Sequence, residues 1–307
     1  MNFFDSGEII ENDTNFVFFG IPWDDLTSIE STNSSKSPQK IRRISENLAL
    51  TTELGFEIPK LKFVDAGNVL IDTNNIETNI LKINDFVKSL FDKKRDIIPV
   101  MIGGDHFCTY PVIKAIGDSI RNPKKLGVLI LDAHLDLYGT YQESAYSHAT
   151  VSHLIHSLKF ISNKNLLIIG TRDIDIPELK IAKTNEITYF NAYVLHDIGV
   201  NLFTEKIIEF FEKSDIKDLY ISIDIDAFDP SIAPGTGYAI PGGFTYREVW
   251  KILRKVAKNI NIIGFDIVEV SPCLDLPNNI TLNVAAKIII ELMYFILSNK
   301  GVEENAS

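Results

Sequence analysis

The chain has 307 residues, 45% of them apolar and 23% charged, with a formal net charge of −11. That balance supports a sizeable core and excludes low-complexity disorder. The negative charge argues against nucleic acid as a partner and fits a cationic small molecule or bound cations. Cys108 and Cys273 form no CxxC pair, so a disulfide framework is not expected, and both read as buried thiols. The opening MNFFDSGEIIENDTN lacks the positive charge and apolar run of a signal peptide. The greasiest run, Ile288–Leu297, is broken by Glu291 and too short to span a bilayer. The expectation is a cytoplasmic protein with no membrane partner.

Eight short apolar runs read as strands: Asn15–Gly20, Lys62–Val64, Ile97–Ile102, Gly127–Leu131, Leu166–Gly170, Ile187–Phe190, Leu219–Ile223 and Ile262–Ile267. Their continuous apolarity is that of strands buried on both faces. Helical periodicity falls between them, over Ile76–Phe91, Tyr110–Ser119, Ala149–Phe160, Lys206–Lys213, Thr245–Ala257 and Ile280–Ser298. Thr245 and Glu248 have capping-box spacing after the turn Pro241-Gly242-Gly243. Thr27–Gln39, with five serines, reads as a surface loop. The alternation predicts one α/β domain over residues 1–307, a parallel sheet covered by helices on both faces.

In such sheets ligands bind beyond the carboxyl ends of the strands. Gly103-Gly104-Asp105-His106, Asp132-Ala133-His134-Leu135-Asp136 and Asp224-Ile225-Asp226-Ala227-Phe228-Asp229-Pro230 all follow strands. Extended backbone would put Asp132, His134 and Asp136 on one face, and Asp224 with Asp226 on another. Four carboxylates and two imidazoles then converge. So many like charges need cations, and two divalent ions balance the four negative charges. An oxygen-rich, cysteine-free set favours Mn²⁺ over Zn²⁺. Such a pair can lower the pKa of a bridging water to make a nucleophile. GGDH alone recurs in strand-to-helix turns and carries little; the three motifs together carry the reading.

The succession GGDH, DAHLD, SIDIDAFDPSIAPGTG and VEVSP resembles the arginase/agmatinase (ureohydrolase) family, from about Phe18 to the last helix. The resemblance implies a three-layer α/β/α fold around an eight-stranded, mostly parallel sheet, two Mn²⁺ per chain, and assembly as a homo-oligomer, trimer or hexamer. It implies His106, Asp132, His134, Asp136, Asp224 and Asp226 as metal ligands, Asp136 also assisting proton transfer. It implies that Glu269 accepts hydrogen bonds from the substrate guanidinium, a role suited to a carboxylate facing paired N–H donors. His148, twelve residues past Asp136, would be the proton shuttle. His153 and His156 read as surface or core residues of a helix, and His196 has no motif around it.

Tyr138 stands where arginases carry an asparagine that contacts the amino-acid end of arginine, and DAHLDLY resembles the agmatinase branch, as do Ser147-His148-Ala149 and Ala233–Gly237. Against that, Thr171-Arg172-Asp173-Ile174-Asp175 resembles the arginase stretch whose second aspartate faces the substrate amino group. Asp175 can equally be a helix cap ahead of Pro177. Ser37-Pro38-Gln39-Lys40-Ile41-Arg42 departs from the family's glycine-rich approach to this element, and Trp23, Asp24 and Asp25 are expected at the entrance. The favoured substrate is agmatine, cleaved to urea and putrescine in polyamine biosynthesis. Arginine, guanidinobutyrate and formiminoglutamate are the alternatives, and a catalytically silent metal-binding scaffold is the non-enzymatic one. A two-metal phosphoesterase would need a basic clamp, and only Arg172 lies near the motifs.

Overall fold

The computed structural model describes residues 2–24, 32–72 and 75–300. Strand and helix alternate in chain order: β1 (Phe16–Gly20), α1 (Ser37–Ser45), β2 (Phe63–Asn68), α2 (Ile76–Lys93), β3 (Ile98–Ile102), α3 (Thr109–Ser119), β4 (Leu126–Leu131), α4 (Val151–His156) and β5 (Leu166–Thr171). Then come α5 (Ile176–Thr184), β6 (Thr188–Asn191), α6 (Ala192–Ile198), α7 (Val200–Lys213), β7 (Asp218–Asp224), α8 (Tyr246–Asn259), β8 (Asn261–Val268) and α9 (Ile280–Asn299). The strands form one eight-stranded sheet in the order β2-β1-β3-β8-β7-β4-β5-β6. Every strand pair is parallel.

Both sheet faces are buried, which explains the continuous apolar runs. Phe16 and Phe18 of β1 point into a core shared with α1 and α6–α9, whereas Val17 and Phe19 point into a second core shared with α2–α5. Two helical layers therefore sandwich the sheet, as expected. Within α9, 83% of the apolar window is buried, so this helix is an element of the first core. Glu291, which interrupts its apolar run, accepts hydrogen bonds from Glu53 N at 2.6 Å and Trp250 Nε1 at 3.2 Å. The capping box at α8 is present: Thr245 Oγ1 accepts from Glu248 N at 3.2 Å, and Thr245 N donates to Glu248 Oε2 at 2.7 Å.

Several expectations need correction. Strand β2 runs on to Asn68 through Asp65, a polar residue inside an edge strand because Arg42 clamps it through Nε and Nη2 at 2.6 and 2.8 Å. Helices α1 and α6 lie where no helix was read, and α5 where only a cap at Asp175 was considered; each is short, and α1 carries two serines, one lysine and two arginines. Of the serine-rich stretch, residues 27–31 lie outside the described residues. Its remainder is no surface loop: Thr32, Ser34 and Ser37 are buried, and Ser37 Oγ donates to Gly103 O at 2.6 Å. Cys108 is buried as expected, but Cys273 is exposed, since it follows the last strand in an open turn. Trp23 does not line an entrance either. It packs edge-on against Phe107 in the core, and Asp24 accepts from Ser35 N at 3.0 Å. Asp25 lies outside the described residues.

The strand order has one consequence for the site. Strands β3, β8, β7 and β4 are successive neighbours, so GGDH, VEVSP, DIDAFDP and DAHLD emerge side by side at the carboxyl edge of the sheet.

Candidate metal centre

The convergence at that edge is achieved by turns and not by the strand pleat. Strand β4 ends at Leu131, so Asp132, His134 and Asp136 all lie beyond it. Asp136 adopts a left-handed backbone with φ 50°. Asp224 closes β7, and Asp226 sits in the 3₁₀ turn Ile225–Ala227, its N–H donating to Asp224 Oδ1 at 2.9 Å. Glu269, just past β8, is also left-handed at φ 58°. Such conformations are unfavourable for residues with a Cβ and persist where the surroundings over-determine them. Here they turn two carboxylates inward. Gly104 permits the close approach of β3's end: a Cβ there would lie 2.0 Å from Trp23 O, the acceptor for Asp105 N.

Two clusters of ligand atoms result, His106 with Asp132 and Asp224, and Asp132 with His134 and Asp226. His106 Nδ1 lies 3.0 Å from Asp132 Oδ2, 3.0 Å from Asp136 Oδ2 and 3.4 Å from Asp224 Oδ2. His134 Nδ1 lies 3.3 Å from Asp132 Oδ1 and 3.1 Å from Asp226 Oδ2. Asp132 thus turns one oxygen to each imidazole. His106 Nδ1 and Asp132 Oδ2 are both buried without a hydrogen-bond partner. Buried polar atoms normally find one, and two orphans at ligand spacing fit a cation between them.

The electrostatics agree. Burial and the charge of Asp132 push Asp136 up to about 7. Burial, with Asp226 and Asp132 beside it, raises Asp224 well above the carboxylate range. Burial works against charge on His134, but Asp226 and Asp132 outweigh it and lift the imidazole to about 12. Without cations the cluster holds protons to stay tolerable; divalent ions would replace them.

A cleft of about 250 Å³ opens onto this cluster. His134 and Asp136 form its floor, and Tyr138, Tyr141, His148, Asp173, Asp175, Glu178 and Tyr238 contribute to its walls. His148 heads a 3₁₀ turn capped by Ser147, whose Oγ lies 3.1 Å from His148 Nδ1. Tyr238 stacks on His148 with ring centroids 6.2 Å apart, and Tyr141 meets it edge-on at 5.5 Å. The Asp136–Tyr138 loop docks on the same segment, with Tyr138 N donating to Ala149 O and His153 N donating to Asp136 O, both at 3.2 Å. His153 and His156 lie half-buried on α4 as expected, and exposed His196 approaches Glu248 at 4.0 Å.

Asp175 caps α5, accepting from Ile176 N at 2.8 Å, with Glu178 completing a capping box. Glu178 Oε1 also accepts from Leu137 N at 3.1 Å, tying the ligand loop to α5. Glu269 is not among the cleft-lining residues; its Oε1 accepts from His106 N at 2.8 Å, within the ligand cluster. Arg172 is spent on backbone, donating to Asp226 O at 2.6 Å and Ile240 O at 2.7 Å. Tyr141, Asp173, Glu178 and Tyr238 went unread in the sequence. Glu178 had a signal, the capping-box spacing from Asp175, and Tyr238 directly follows the quoted Ala233–Gly237.

Comparison with known proteins agrees with this geometry. The arginase family model matches residues 14–294. An agmatinase from Pyrococcus horikoshii is 31% identical over 278 residues, covering 90% of each chain. The crystal structure of agmatine ureohydrolase of Thermoplasma volcanium is 25% identical, with TM-score 0.82 over 94% of this chain and 92% of that one. Proclavaminate amidino hydrolase from Streptomyces clavuligerus is 28% identical, with TM-score 0.84 over 96% of both. The chain belongs to the arginase family, and is a ureohydrolase.

Proposed function

We propose that the protein binds two Mn²⁺ and hydrolyses agmatine to urea and putrescine. The observation that carries the substrate is the charge of the cleft wall. Its described charged side chains, histidines apart, are Asp136, Asp173, Asp175 and Glu178, with no lysine or arginine among them. A distal ammonium is attracted there, whereas the carboxylates of guanidinobutyrate or formiminoglutamate meet no lysine or arginine among the described lining residues. The relatives named agmatinase support the same reading. The amidino hydrolase of similar fold acts, by its name, on another substrate, so the wall and not the fold supports the choice.

In this reading His106, Asp132, His134, Asp136, Asp224 and Asp226 hold the cations. When bound, the pair would supply a water activated for attack on the guanidinium carbon. Asp136 orients that nucleophile and takes its proton. Glu269, anchored through one oxygen to His106 N, faces the guanidinium with the other. His148, on the cleft wall, passes a proton to the departing amine. Tyr138 and Asp175 bound the far end of the substrate. The family likeness further supports a homo-oligomer, trimer or hexamer, working in the cytoplasm in polyamine biosynthesis.

Titration of chelated protein with Mn²⁺ tests the site. Two equivalents per chain, with urea released from agmatine only once both are present, is the expected result. Urea release from fully chelated protein would contradict it.

A further inference from the structure

The mechanism does not use the buried carboxylate of Asp266. Asp266 lies within β8, fully buried, and among the described residues no lysine or arginine pairs with it. It is the register partner of Ser222 in β7, the residue two before Asp224. It accepts three hydrogen bonds: from Ser222 Oγ at 2.7 Å, Tyr220 OH at 2.7 Å and Thr109 Oγ1 at 3.0 Å. A carboxylate buried in a parallel sheet without a cation is unfavourable, and such groups are kept where they orient something.

The group oriented here is His106. Its Nε2 lies 3.1 Å from Ser222 Oγ. Ser222 has a single hydroxyl proton, and that proton is given to Asp266, which as a carboxylate has none to return. Ser222 therefore accepts from His106 Nε2–H, and the opposite nitrogen, Nδ1, points its lone pair at Asp132, Asp136 and Asp224. The reverse arrangement would set Ser222 Oγ against a carboxylate oxygen with no proton between them.

We propose that Asp266 is a positioning residue for metal binding, acting through Ser222 to hold His106 in the orientation and tautomer that presents Nδ1 to a cation. This rests on the two-cation reading above. Groups of this kind behind a ligating imidazole change metal affinity by about 10–100-fold when removed. Behind His134 the structure places an exposed carboxylate, Asp173 Oδ2 at 3.8 Å from Nε2, and not this buried chain, so the effect falls on the ion held by His106.

The test is Mn²⁺ titration of chelated protein against a competing chelator, beside thermal unfolding of the same metal-free samples. Ser222→Ala removes the acceptor while Asp266 keeps Tyr220 and Thr109. Asp266→Asn removes the charge at constant volume. Tyr220→Phe is the control, because it takes a donor from Asp266 without touching Ser222 or His106. The expected result is about 10–100-fold weaker binding of one ion in Ser222→Ala and Asp266→Asn, with the other ion held as in wild type. In Tyr220→Phe both ions bind as in wild type, whatever its unfolding temperature. If Ser222→Ala and Asp266→Asn bind both ions like wild type and only lower the unfolding temperature, the network is merely structural and the inference is overturned. If wild type itself takes up fewer than two ions, the two-cation reading fails first.

Discussion

The phenol of Tyr138 donates to Asp175 Oδ2 at 2.5 Å, joining two residues that pointed to different substrates in the sequence. Asp175 has its other oxygen on Ile176 N at the start of α5. The hydrogen bond from Tyr138 holds the Asp175 carboxyl below its ordinary pKa, and burial raises the Tyr138 phenol further above its own. With both oxygens engaged, Asp175 serves as cap and wall before it can serve as a receptor for an α-amino group.

Tyr138→Phe therefore affects substrate binding more than chemistry. The expected change is about a 3–10-fold rise in KM for agmatine, as the Asp175 wall loses the hydrogen bond that fixes it, with kcat close to wild type. Steady-state urea release checks it; a large fall in kcat at unchanged KM would contradict it.

On the proposed assignment, Asp136→Asn removes a ligand oxygen and the proton carrier together. Turnover is expected to fall by about 10³-fold or more, as general-base and metal contributions are lost at once. Circular dichroism of the variant should match wild type. Near-native turnover would remove Asp136 from the chemistry.

Metal binding should release protons. Without cations Asp136 titrates at about 7 and His134 at about 12, both raised. At neutral pH these groups carry protons that bound cations must displace, so affinity rises with pH, about tenfold per unit for each proton released. The sign for folding is opposite in the metal-free protein. The folded chain binds more protons than the unfolded one, between 3.8 and about 7 for Asp136 and between 6.5 and about 12 for His134. That stabilisation is present at low pH and lost as pH rises through these windows. Calorimetry in buffers of different ionisation enthalpy measures the release, and melting curves from pH 5 to 9, with and without Mn²⁺, measure the linkage.

Gly104→Ala is expected to be severely destabilising, because its Cβ would meet the Trp23 backbone, which cannot swing away as a side chain can. The expected cost is about 1–3 kcal/mol or more, read from denaturant unfolding, with metal binding impaired in what remains folded.

Much of this was legible in the residues. The eight strands announce themselves because both sheet faces are buried, so each is an unbroken apolar run. Where β2 lies at the edge and carries Asp65 for Arg42, the run breaks and the strand reads short. The candidate ligand residues were legible from their types, yet the pleat argument for their convergence was wrong. Left-handed turns at Asp136 and Glu269 bring the carboxylates in, and no periodicity announces a single positive φ. The cleft wall was the least legible part. Tyr141, Glu178 and Tyr238 come from three separate loops and helix starts, brought together only by the packing of the sheet edge.

The most direct measurement is urea release from agmatine, arginine, guanidinobutyrate and formiminoglutamate, side by side, by the Mn²⁺-loaded protein and an EDTA-treated control. An acidic wall over a two-cation floor predicts the highest kcat/KM for agmatine, little turnover of the carboxylate-bearing compounds, and none after chelation. Preferential urea release from arginine, or formamide from formiminoglutamate, would contradict the account.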